Sequence, residues 1–186
     1  MSDRKRDIHP ADGALLADYR SGKLEAFDRL VDRHEAALLR FATSILRDAT
    51  RAEDAVQESF LRLLRKGPDF GSEASLGPWL FRVCRNLAYD MRKMETREAA
   101  RREKVMVEEP TTPDAQSEHQ EVLNLVQQEM KNLPEREREA IWLKVHEGWN
   151  YTQIGEVLGV KPGTVGWLVH EGMKRLTARL RVAQAI

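Results

Sequence analysis

The apolar positions of this chain recur at three and four residues along most of its length, which is the helical period. In "EAFDRLVDRHEAALLRFATSILRD" they are Phe27, Leu30, Val31, Leu38, Leu39, Phe41, Ile45 and Leu46. The next run, "TRAEDAVQESFLRLLRKG", puts Val56, Phe60, Leu63 and Leu64 on an inward stripe. Thr50-x-x-Glu53 has the form of a capping box, so this helix is expected to start near Arg51. Gly67 and Pro68 end it. "PDFGSEASLG" is a loop of turn formers. A long helix is expected to begin near Pro78, which needs no backbone donor in a first turn. Trp79, Leu80, Val83 and Leu87 form its apolar half, and its C-terminal half is basic.

"VEEPTTPDAQSEHQ" breaks the pattern with two prolines and no basic residue, which marks a boundary. Four further helices follow: "EVLNLVQQEMKNL", "PEREREAIWLKVHEG", "YTQIGEVLG" and "PGTVGWLVHEGMKRLTARLRVAQ". Asn150-x-x-Gln153 caps the third of them. No alternation of strand type occurs, so the fold class is all-α. It comprises two small helical domains joined by a flexible acidic linker, the second a helix-turn-helix. The expected bounds are 1–105, 106–120 and 121–186.

Charge sharpens the division. The formal net charge is zero, although 32% of the residues are charged. Arg82, Arg85, Arg92, Lys93, Arg97, Arg101, Arg102 and Lys104 crowd one segment. From Val105 to Met130 there is no Lys or Arg, whereas Glu108, Glu109, Asp114, Glu118, Glu121 and Glu129 are present. Such blocks suit a basic surface for nucleic acid beside an acidic tether. One cysteine, Cys84, excludes an internal disulfide framework, and five scattered histidines lack metal-ligand spacing. "HEGW" and "HEGMK" lack the second histidine of a zinc-protease motif. No catalytic constellation, cofactor, metal site or small-molecule substrate is expected. "MSDRKRDIHP" has no apolar core behind it, so it does not read as a signal peptide, and no run approaches the ~20 apolar residues of a membrane span. The expected compartment is the cytoplasm.

The last third carries the sharpest local pattern. In "YTQIGEVLGVKPGTV" a short amphipathic helix, a turn at Gly159-Val160 and a second helix share Ile154, Leu158, Val160 and Val165 as a small core. Gly155 falls where two crossing helices come close. In a helix-turn-helix the second helix enters the major groove and its first turns meet base edges.

"LPEREREAIWLKVHEGWNYTQIGEVLGVKPGTV" resembles the C-terminal DNA-binding domain of bacterial RNA polymerase sigma factors. "RDATRAEDAVQESFLRLLR" resembles the segment with which they grip the polymerase clamp. "WLFRVCRNLAYDMRK" resembles the segment that melts and reads the minus-ten element. Two such domains and a short linker are the layout of the extracytoplasmic-function class, and the resemblance runs from about Leu24 to Leu180. It implies a factor that binds core RNA polymerase and directs promoter recognition, DNA opening and transcription initiation. Its partners would be core RNA polymerase, promoter DNA and an anti-sigma factor. Residues 1–105 would be sigma domain 2 and 121–186 sigma domain 4.

By resemblance, Asp54, Gln57, Glu58 and Leu61 meet the polymerase. Trp79, Arg82, Arg85, Asn86, Asp90, Arg92 and Lys93 meet the minus-ten DNA, although Trp79, at a helix start next to Leu80, also reads as a core residue. Lys161, Thr164, Trp167, Lys174 and Arg175 meet the minus-thirty-five DNA. The acidic linker would occupy the path later taken by RNA. The last helix departs from the family. After "GTV" it runs Gly166, Trp167, Leu168, Val169, His170, Glu171, Gly172, Met173, without the usual basic or small polar residues. Glu171 repels phosphate, and the two glycines weaken a helix by up to ~1 kcal/mol each. A Trp167–Leu168 patch for protein contact is the alternative use of this face. The alternative for the whole chain is a polymerase-independent helix-turn-helix regulator, against which the clamp-like "EDAVQESFLRLL" argues.

Overall fold

A computed structural model describes residues 12–67, 76–101 and 118–184. Among these there are eight helices and no strand. They are α1 (Asp12–Arg20), α2 (Glu25–Leu46), α3 (Ala49–Lys66), α4 (Leu76–Arg101), α5 (Glu118–Lys131), α6 (Glu135–His146), α7 (Tyr151–Leu158) and α8 (Pro162–Gln184). The chain divides into two compact units, Met1–Arg97 and Glu98–Ile186. The acidic linker falls mostly outside the described residues, and α5 begins at Glu118 rather than Glu121.

In the first unit the apolar stripes meet as the periodicity requires. Leu30, Leu38, Phe41, Ile45 and Leu46 of α2 pack with Val56, Phe60 and Leu63 of α3, all buried. Leu76, Leu80, Phe81, Cys84, Leu87 and Ala88 of α4 are buried with them, while Trp79 and Val83 are half-buried. Phe41 and Phe81 lie 5.2 Å apart in a tilted pair, which adds roughly 0.5–1.5 kcal/mol beyond their burial.

Three expectations are corrected here. The N-cap of α3 is Asp48, not Thr50. Its side chain accepts the Arg51 N–H at 3.0 Å, and the helix starts at Ala49. Arg47, in the left-handed region at φ 57°, ends α2, so a single extended residue links the two helices. Leu64 is not part of the inward stripe but 38% exposed. With Val56 at zero and ~100° per residue, it falls near 80°, beyond the packed face. The third is α1, absent from the periodic reading. Its Leu15 and Leu16 are each only 2% exposed. Asp12 pairs with Arg33 and with His34 Nε2 at 2.9 Å, while Arg20 donates to the Gly67 carbonyl at 2.8 Å. Burial acts against the Asp12 carboxylate. Hydrogen bonds and charge from His34 and Arg33 outweigh it and hold the group below its ordinary pKa.

Cys84 is fully buried, and burial pushes its thiol up to about 12 against a weaker opposing hydrogen bond with Ser59. At pH 8 about one molecule in ten thousand would carry the thiolate that reacts. The expected result is no labelling by a thiol reagent at pH 8 in native buffer, and full labelling in denaturant. Rapid labelling of the native chain would show that the α3–α4 core opens.

In the second unit, Leu133, Ile141 and Leu176 form a buried cluster with Met130 and Leu180 against it. The expected capping box at Asn150 is present in full, with bonds of 3.0 and 3.1 Å between Asn150 and Gln153. Gly159, at φ 66°, ends α7 in the left-handed conformation that suits glycine.

Candidate nucleic-acid and polymerase interfaces

The outer face of α3 is built by elimination. Its inner side is taken by Ala52, Ala55, Val56, Ser59, Phe60 and Leu63. The opposite side leaves Asp54 and Gln57 exposed, with Leu61 at 42% and Leu64 at 38%. Glu58 is half-buried and held by Arg62 at 3.0 Å, with Arg65 at 4.0 Å. Leu64 was missed as a surface residue, and its helical angle is the signal that would have found it. Two acids, an amide and two leucines thus form one mixed face, on which the carboxylates would repel phosphate.

The outer face of α4 is cationic. Arg82, Asn86, Asp90 and Lys93 are exposed, whereas Trp79, Arg85 and Arg92 are half-buried. Arg85 and Arg92 both place their guanidinium carbons 4.7 Å from the centre of the Tyr89 ring. Arg51 of α3 donates to the Met91 carbonyl at 2.8 Å and pairs with Glu95, which fixes the middle of this long helix. The helix runs well past its last buried residue, Ala88, and residues 93–98 are exposed. The preceding loop, 68–75, lies outside the described residues.

The α7–α8 pair has helix-turn-helix form. Ile154, Val157, Leu158, Val165 and Leu168 are buried between and beneath the helices. Gly159 and Val160 both donate to the Gly155 carbonyl, which closes the turn. A Cβ on Gly155 would sit 2.6 Å from the Val160 carbonyl oxygen. The obstacle is therefore the backbone of the turn itself. Lys161, just before α8, and Thr164, Trp167, His170 and Lys174 along it are exposed, with Trp167 at 56%.

Two readings of α8 change. Leu168 is 5% exposed, so it cannot share a surface patch with Trp167. Placed three residues after Val165, it turns back into the core. Gly172, which lowers helix propensity, is a packing residue. A Cβ there would lie 2.7 Å from Ile141 Cδ1 and 3.1 Å from Glu137 Cβ, so glycine lets α6 cross α8 closely. Beside this crossing Arg175 Nε lies 3.2 Å from the buried Glu137 Oε2, and Arg179 pairs with Glu129 at 3.4 Å. The cations of the later turns are thus partly engaged within the unit, whereas those near the start of the helix face outward.

Comparison with known proteins gives these surfaces a context. Residues 30–98 match the family model of sigma-70 region 2, and residues 123–176 match that of sigma-70 region 4. The RNA polymerase sigma factor CarQ of Myxococcus xanthus is 30% identical over 162 residues, covering 85% of this chain and 91% of its own. The ECF RNA polymerase sigma factor SigL of Mycobacterium tuberculosis is 32% identical over 160 residues, covering 82% and 87%. The chain belongs to the extracytoplasmic-function class of RNA polymerase sigma factors. Among solved structures, CnrH in complex with the cytosolic domain of CnrY superposes with a TM-score of 0.68 at 25% identity, over 92% of this chain and 97% of that one. The sigma factor RpoE of Bartonella quintana, in complex with the anti-sigma factor NepR, also gives 0.68, at 27% identity over 84% and 97%. In this sigma factor the region 2 match opens inside α2 and leaves α1 out. The region 4 match stops inside α8, before Leu180 and Arg181. No described helix is long and apolar enough to cross a membrane.

Proposed function

We propose that this sigma factor directs core RNA polymerase to its promoters through three separate surfaces. The first unit carries the work of sigma domain 2. Asp54, Gln57, Glu58, Leu61 and Leu64 on α3 meet the polymerase clamp. Trp79, Arg82, Arg85, Asn86, Asp90, Arg92 and Lys93 on α4 meet the minus-ten DNA as it opens. The second unit is sigma domain 4, in which Lys161, Thr164 and Trp167 reach base edges of the minus-thirty-five element while Lys174 contacts phosphate. Residues 106–120 act as the linker. Members of the family serve as initiation factors, and no covalent step is assigned to any residue here. The place of action is that of RNA polymerase, the cytoplasm. An anti-sigma protein is the natural inhibitor, as one accompanies the RpoE relative.

The observation that carries the proposal is the two-faced α3. One side is buried throughout, and the other exposes Leu61 and Leu64 beside Asp54 and Gln57. Exposed leucines framed by carboxylates are costly to leave in water and gain by burial against a basic partner. The test is gel filtration of the purified chain with core RNA polymerase. The wild type is expected to co-elute and the Asp54→Lys, Glu58→Lys variant to elute separately. Failure of the wild type to co-elute would favour a regulator that binds duplex DNA without polymerase.

Trp167 provides a second check. At 56% exposure its removal leaves the core intact. Trp167→Ala is expected to weaken binding of the polymerase complex to upstream promoter DNA by about tenfold, the loss of one good base contact. Thermal stability should be unchanged. Unaltered DNA affinity would assign the indole to a protein partner instead.

A further inference from the structure

The ridge of α4 holds an arrangement that core packing does not require. Arg85 lies four residues before Tyr89, and Arg92 three after it. With Tyr89 at zero and ~100° per residue, the two arginines fall near −40° and −60°, one turn to either side of the ring. Both guanidinium carbons are 4.7 Å from the ring centroid. Two like charges are thus gathered on one aromatic group, where the negative π face offsets part of their repulsion. Tyr89 is half-buried, which limits the freedom of its ring. Beside it a shallow groove is lined by Tyr89, Asp90, Arg92, Lys93, Thr96 and Arg97.

The other flank differs. Asn86 and Asp90 fall near +60° and +100° on the same wheel, and both are exposed. These are groups that hydrogen-bond to base edges. The arginine flank is suited to phosphate, since a guanidinium binds its oxygens through paired N–H donors. Arg82, Lys93 and Arg97, near +20°, +40° and +80°, are exposed on that flank too, so it mixes edge-bonding groups with cations, whereas Arg85 and Arg92 are the pair gathered on one ring.

We infer that Tyr89 is a positioning residue that holds Arg85 and Arg92 as a two-armed grip for successive phosphates of single-stranded DNA. The inference rests on the minus-ten reading of α4. The anion relieves the repulsion between the arms, and the ring fixes their spacing before the strand arrives. Without the ring the two side chains keep their charge but lose the contact that gathers them on one group.

The test uses the full chain assembled with core RNA polymerase, with core polymerase alone as the blank. The probe is a short fluorescein-labelled single-stranded DNA of mixed sequence, titrated across a salt series. Tyr89→Leu is expected to raise Kd about five- to tenfold. It should also flatten the dependence of log K on log salt by about 1, since each phosphate contact on a single strand contributes ~0.7. Tyr89→Phe should restore both values. Tyr89→Leu added to the Arg85→Ala, Arg92→Ala variant should cause no further loss.

Wild-type affinity and slope in Tyr89→Leu would overturn the grip. So would a full additional loss on top of the double arginine variant, which would mean that the ring stacks on a base itself. Should Tyr89→Leu fail to fold, the single arginine variants carry the test. A grip predicts that each alone loses most of what the pair loses, and simple additivity would overturn it. Failure of the wild-type chain to assemble with core polymerase would refute the sigma-domain reading of α3 and α4, and this inference with it. Assembly with unaltered strand binding would refute the grip alone.

Discussion

Gly155→Val is expected to unfold the helix-turn-helix of the second unit. A Cβ at this position meets the Val160 carbonyl oxygen at 2.6 Å, and Pro162 N lies 3.7 Å away. The neighbour is backbone, held by the hydrogen bonds that Gly159 and Val160 donate to Gly155. It cannot swing aside as a long side chain would. Even Gly155→Ala, which gains up to ~1 kcal/mol of helix propensity, should lose about 1–3 kcal/mol net, because overpacking against a fixed group exceeds that gain. For a unit of this size that is a fall of roughly 5–20 °C in Tm. The branched valine should do worse. Gly163→Ala is the control. It also lies in a helix of the motif, but a Cβ there meets nothing within 4 Å, so it should be neutral or slightly stabilising. Circular dichroism melts of the three variants decide the matter. Equal melts for Gly155→Ala and Gly163→Ala would show that the turn gives way and that the close contact does not matter.

The contrast between Gly155 and Gly172 shows what was legible in the chain. Gly155 could be read in advance because its reason is local. A short helix, a glycine turn and a second helix lie within one run of residues, and the capping box at Asn150 and the proline at 162 fix both starts. Gly172 could not. Its reason is Glu137 and Ile141, more than thirty residues away, and the sequence shows only a helix weakened by glycine. The same distinction explains the first unit. The stripes of α2, α3 and α4 repeat over many turns and declare themselves. Helix α1 has nine residues and two adjacent leucines, too few to set a period, and it is held by Asp12 and Arg20, which reach distant partners. Asp48 took the cap from Thr50 because α2 ends at Leu46, two residues before it, a boundary that propensity does not mark. Of the candidate site residues, the faces of α3 and of early α8 were legible as exposed turns. Which cations of α8 remain available for phosphate was not, because acids on α5 and α6 engage two of them.

Arg175 is the sharper of those two cases, and its loss is expected to cost stability before it costs DNA affinity. Glu137 is 3% exposed, and its Oε2 has no well-aligned hydrogen bond among the described residues. The compensating charge is the Arg175 guanidinium, with Nε at 3.2 Å. The pair is unequal, since the arginine side chain remains 52% exposed. Solvent therefore screens its side of the interaction, and the full penalty for stranding a buried charge, ~3–5 kcal/mol, must be reduced. Arg175→Ala should destabilise the second unit by about 1–3 kcal/mol, with denaturant melts as the measurement. The diagnostic step is the double variant. Glu137→Gln removes the stranded charge while keeping the shape of the side chain, so Arg175→Ala with Glu137→Gln should be more stable than Arg175→Ala alone. If Arg175 were chiefly a phosphate contact, the single variant would melt like the wild type, its DNA binding would weaken, and the glutamine would rescue nothing. The two outcomes differ in sign at the double variant. They decide whether the proposed DNA contact of α8 ends near Lys174 or continues along the helix.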